Sequence, residues 1–134
     1  MGDYAASGGV YISTPADYIF AHPTTITGSI GVAIAFLTTE DSLEYIGISK
    51  DGVQTSKFAG WTPELPVTEE LDNIFNNLAE RSYQRFLEVV SESRKKDVSE
   101  INKIAGGRVW IGTDALQIDI IDELGDIEDA IGKA

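Results

Sequence analysis

The sequence predicts an α/β fold. Tyr18–Ala21 is a short apolar run between Pro15 and Pro23, as a buried strand is, and Val32–Phe36 is another apolar segment. They alternate with stretches of helical periodicity. The longest of these, from Thr68 to Lys96, repeats apolar residues at three- and four-residue steps. Short strands alternating with helices favour crossover connections over a purely antiparallel sheet.

Taken in order, residues 1–6 read as a turn leaving a strand that the chain does not contain. A short helix is expected from Ser7 to about Ser13, closed by Pro15. Tyr18–Ala21 is a short strand between Pro15 and Pro23, and the Gly28-Ser29-Ile30-Gly31 loop leads into the apolar segment Val32–Phe36. Thr39, Asp41 and Ser42 supply capping chemistry for a helix to about Ile46, stopped by Gly47. Ile48–Lys57 alternates weakly and reads as a strand broken at Asp51-Gly52, before a loop over residues 58–66 with Gly60, Pro63 and Pro66. Thr68 caps the long helix, Glu69 and Glu70 favour its first turn, and Arg94-Lys95-Lys96 its last. Ser99 is expected to cap a shorter helix ended by Gly106-Gly107. Arg108–Ile111 is a strand, Thr113–Gln117 a helical turn, Ile118–Ile121 a connector, and Asp126 the start of a final helix.

At 134 residues the chain suits one domain, residues 1–134, and 43% apolar residues favour a packed core over disorder. No apolar run reaches the roughly 18–20 residues that span a bilayer. The net charge of −12 is uneven: residues 1–38 carry only Asp3 and Asp17, whereas residues 64–134 carry 16 acidic and 8 basic side chains. The first third therefore reads as buried or substrate-facing. A nucleic-acid partner is excluded, because phosphate binding needs a basic patch. The absence of cysteine excludes disulfides, thiol catalysis and cysteine metal sites, and no cofactor or metal is expected.

Chemistry centres on Ser7-Gly8-Gly9. Small neighbours and two glycines let a tight turn present the Ser7 hydroxyl outward, with backbone N–H groups beside it for a developing oxyanion. The same tripeptide also fits a turn that only packs a helix against a strand. A serine nucleophile needs a base. His22, the single histidine, precedes Pro23 on an apolar approach and reads as structural. A lysine held neutral by burial is the alternative base, and Lys50 and Lys57 are the lysines not at helix ends or on solvated helix faces. Ser29 reads from the residues alone as a turn serine.

The run Met1-Gly2-x-x-Ala5-Ala6-Ser7-Gly8-Gly9-x-Tyr11-Ile12-Ser13 resembles the serine segment of the signal peptide peptidase A family, bacterial serine–lysine peptidases. The likeness continues through Thr14–Ile19, Pro23–Val32, Val109–Ala115 and Asp122–Asp126, so it spans the chain in order. It implies a ClpP/crotonase-like layered spiral. Met1 matches a methionine inside the family motif, so the resemblance makes residues 1–134 a C-terminal part, truncated at its N-terminus. It implies Ser7 as nucleophile, Gly8 as an oxyanion donor and Ser29 as the residue that orients the base lysine.

The family's lysine position falls on Thr55, as in the serine-bearing half of the family's long form. The expected base therefore lies in a segment absent here, with Lys57, two residues further on, as the fallback. Val10, Tyr11, Ile30 and Val32 are expected to line apolar subsites. The resemblance further implies peptide substrates, cleaved signal peptides among them, and a ring-like homo-oligomer. It places the active site outside the cytoplasm of a membrane-associated bacterial protein, with no anchor in this chain. Two other uses share these residues: a non-catalytic lobe retained for assembly, and a phage-type capsid maturation protease.

Overall fold

Strand β1 (Tyr4–Ala6) passes into helix α1 (Gly8–Ser13) through the single residue Ser7. Strand β2 (Phe20–Ala21) and strand β3 (Ile26–Gly28) follow, and β3 lies parallel to β1 in the register Tyr4–Ile26, Ala5–Thr27, Ala6–Gly28. Two buried hydroxyls hold this pairing. Thr25 Oγ1 donates to the Gly2 carbonyl at 2.8 Å, and Thr27 Oγ1 to the Ala5 carbonyl at 2.9 Å. Both threonines are fully buried, so each bond also satisfies a polar group that burial would otherwise strand.

The computed structural model describes residues 1–134 and resolves them into two units, one of residues 1–32 and 81–134 and one of residues 33–80. The helices are α2 (Glu40–Tyr45), α3 (Glu69–Arg94), α4 (Val98–Ile104), α5 (Gly112–Gln117) and α6 (Ile127–Lys133). Strand β4 (Val109–Ile111) pairs antiparallel with β3, which makes the three-stranded order β1-β3-β4. Strand β5 (Glu123–Leu124) pairs parallel with β2. The first unit is thus mixed α/β.

Its core gathers Val10 from α1, Ile30 from the loop after β3, Phe86, Leu87 and Val90 from α3, Ile101 from α4, and Ile120 and Ile121 before β5. These α3 residues follow the three- and four-residue steps of one helix face, which is why the helix docks on that side. Leu87 is 1% exposed, and its truncation to alanine is expected to cost about 2–5 kcal/mol. The last turn of α3 is clamped by charge. Arg94 grips both carboxylate oxygens of Asp122, at 2.6 and 3.1 Å, and donates through Nε to the Asp119 carbonyl. Asp122 also accepts from the Ile19 amide at 2.7 Å. The Arg94 hydrogen bonds, reinforced by that amide, hold the Asp122 carboxyl below the usual carboxylate range against the opposing effect of burial.

The second unit packs Phe36, Trp61 and Phe75 in a three-ring cluster with centroids 4.9–5.9 Å apart. It holds no strand.

Several expectations hold: the short helix after Ser7, the Thr68 cap, the Gly106-Gly107 stop with φ of 69° and 77°, and the final helix begun at Asp126, which caps it in a reciprocal box with Asp129. Others are corrected. Residues 4–6 form a strand, because β3 comes back alongside them. Residues 48–57 are irregular, because a strand needs a neighbouring ladder and none lies beside them. Asp97, not Ser99, caps α4, in a reciprocal box with Glu100. Val32–Phe36 forms no strand and is exposed along its length.

Candidate active site

Ser7 occupies a backbone conformation that side chains rarely adopt, φ 52° and ψ −112°, the geometry of the first central residue of a type II′ turn. Such a residue costs on the order of 1–3 kcal/mol and persists only where its surroundings enforce it. Here they do. The Ser7 amide donates to the Gly28 carbonyl at 2.8 Å, extending the β1–β3 ladder, while its carbonyl accepts from Tyr11 at 3.0 Å and starts α1. The strand thus ends and the helix begins on the same residue. The Ser7 side chain does not cap the helix and is exposed. The Gly8 amide follows in the first turn, where N–H groups have no intrahelical partner, and a side chain at Gly8 would point into open space.

Ser29 stands one residue past the end of β3, as Ser7 does past β1, and its φ of 51° is also left-handed. Its amide donates to the Arg108 carbonyl at 2.6 Å. Gly28 before it has φ 76°, and a Cβ there would meet Trp110 at 2.6 Å and the Arg108 carbonyl at 2.9 Å, so only glycine fits. Gly31 is as tightly placed, with a Cβ position 2.7 Å from the Gly107 amide, which donates to Ile30. The α4–β4 turn therefore pins the loop carrying Ser29.

A groove of about 450 Å³ opens beside Ser7 and Gly8. Tyr11 and Phe86, in edge-to-face contact at 5.2 Å, line it with Gly31, Val32, Arg81, Ser82 and Arg85. Of the apolar residues expected to face substrate, Tyr11 and Val32 lie here. Val10 and Ile30 are instead 2% and 0% exposed within the core, because α1 and the 29–31 loop turn those side chains inward. The α3 residues of the groove escaped the sequence reading. The i, i+4 pairs Arg81–Arg85 and Ser82–Phe86 were the available signal.

No lysine lines the groove. Lys57 belongs to the other unit, where its 68%-exposed side chain pairs with Glu70 and lies over the Phe58 ring. Lys50 donates to Thr62 at 2.7 Å and to Glu64 at 2.9 Å. Both sites are solvated and carry a partner carboxylate, unlike the dry pocket in which a lysine acts as a base. His22 is exposed, has Nδ1 3.0 Å from Thr24 Oγ1, and lines a different cavity. No cluster of histidine, aspartate or glutamate suits a metal ion.

A hydroxyl on a strained strand-to-helix turn, with a helix-start amide beside it and a groove in front, is an arrangement suited to acyl transfer. Comparison with known proteins agrees with that chemistry. Protease 4 of Haemophilus influenzae is 43% identical over the whole chain, and protease 4 of Salmonella typhi 45%. The chloroplastic serine protease SPPA of Arabidopsis thaliana is 38% identical, again over the whole chain. The chain spans only 20–22% of the length of these relatives. The profile of peptidase family S49 matches residues 1–134 from end to end, and the chain belongs to that family.

Proposed function

We propose that this chain is the serine-bearing part of a Ser/Lys endopeptidase that cleaves peptides at or near a membrane, spent signal peptides among them. The observation that carries the reading is Ser7: an exposed hydroxyl held at φ 52° between a strand and a helix, facing a groove. Strain of this kind concentrates where chemistry needs it.

Ser7 Oγ attacks the scissile carbonyl and its proton passes to a lysine amine. The Gly8 N–H donates to the oxyanion. Collapse breaks the C–N bond, the lysine returns the proton to the leaving amine, and water then hydrolyses the acyl-enzyme. With no lysine lining the groove, the base comes from residues outside 1–134, and Lys57 is the alternative within them. Ser29, beside Ser7 across the β1–β3 pair, orients that amine.

The mixed three-stranded sheet and the parallel β2–β5 pair are compatible with a ClpP/crotonase-like layered spiral. Such units assemble as a ring, whose enclosed space admits unfolded peptides. No helix of the chain is long and apolar enough to cross a membrane. The reading is tested by hydrolysis of a fluorogenic signal-peptide substrate by the natural gene product. Turnover lost in Ser7→Ala supports it, and turnover retained in that variant refutes it.

A further inference from the structure

We infer that the groove beside Ser7 selects peptides bearing a carboxylate, received by Arg81 and Arg85. The inference rests on Ser7 being the peptidase nucleophile and adds a substrate class to that reading. The chain carries a net charge of −12, yet the only charged side chains lining the groove are these two arginines. They stand four residues apart on α3, one turn of a helix, and so project from the same face. Arg81 forms no ion pair, and the one ion pair of Arg85 is with Glu88, at 3.4 Å between two largely exposed side chains, with Glu92 acting on it more weakly through space.

Exposed pairs of that length contribute little, so Arg85 exchanges Glu88 for a ligand carboxylate at small cost. Guanidinium groups bind carboxylates through two parallel N–H donors, and two of them a turn apart can share one. Tyr11, Phe86 and Val32 supply the apolar remainder of the surface. The groove thus joins an apolar floor to a cationic wall next to the nucleophile. The carboxylate is either a glutamate or aspartate side chain or the free C-terminus of a cleaved peptide. Both present the same chemistry to the arginines.

Fluorescence anisotropy on the Ser7→Ala form of the natural gene product separates these sources. Four labelled peptides share one apolar sequence: free C-terminus, C-terminal amide, amide with an internal Glu, and amide with an internal Gln. At least one carboxylate-bearing peptide should bind about tenfold more tightly than its neutral counterpart, the gain of one charge-assisted contact. Which one does so names the source. The preference should disappear in the Arg81→Gln/Arg85→Gln variant and shrink on raising salt from 50 to 500 mM in the parent, a reading independent of that variant's folding. Equal binding of all four peptides, no binding of any, or a preference that survives both the substitutions and the salt would overturn the inference. Fluorophosphonate labelling of Ser7 in the Arg81→Gln/Arg85→Gln protein reports separately on the nucleophile, so either reading can fail alone.

Discussion

Ser7 and Ser29 each stand one residue beyond the end of a parallel strand, β1 and β3, that pair with one another, and both take a left-handed φ, 52° and 51°. The Ser7 amide closes the link by donating to Gly28, the residue before Ser29. Two strained hydroxyl residues side by side at the same end of a sheet are costly for stability alone. Their placement fits a nucleophile and the group that aligns its base.

Strain at Ser7 has a direct consequence. Glycine adopts φ 52°, ψ −112° without a Cβ penalty, so Ser7→Gly should raise unfolding free energy by about 1 kcal/mol while removing activity. Denaturant unfolding measures the first and peptide hydrolysis the second. A less stable glycine variant would show that the turn is not strained.

Ser29→Gly makes a parallel test, because glycine keeps the left-handed backbone and deletes only the hydroxyl. The natural gene product should lose about 10²-fold in kcat with KM little changed, and its melting temperature should hold or rise. An unchanged kcat would remove Ser29 from the catalytic arrangement.

Much of this site was legible from the residues. Ala5-Ala6-Ser7-Gly8-Gly9 announces a tight, uncrowded turn, and Asp126 announces the cap of α6. What stayed hidden depends on partners far along the chain. Residues 4–6 become a strand only because residues 26–28 lie beside them, and β4 then adds antiparallel from more than eighty residues later. Residues 48–57 alternate weakly, but no neighbour completes a ladder. Arg81 and Arg85 fall on the polar side of α3. Periodicity identifies that side, yet it does not reveal that Ser7 and Val32 will face it.

The Arg94–Asp122 clamp gives the fold a pH signature. The folded-state pKa of Asp122 lies below its unfolded value, so its contribution is present above about pH 4 and is lost as pH falls through the folded value. Asp122→Asn should therefore cost about 2 kcal/mol at pH 7, a difference that narrows below pH 4. Denaturant titrations across that range check it. A difference independent of pH would mean that the carboxylate charge is not what Arg94 holds.

If the base lies outside residues 1–134, the 134-residue chain by itself should turn over peptides at least about 10³-fold more slowly than the natural gene product. Comparable turnover that vanishes in Lys57→Met would instead make Lys57 the base.

The central claim is that Ser7 is the nucleophile. The most direct measurement is labelling of the natural gene product with a fluorophosphonate probe, followed by mass mapping of the modified peptide. The adduct should fall on Ser7, and Ser7→Ala should abolish it. An adduct on another residue, or labelling undiminished in the alanine variant, would contradict the account.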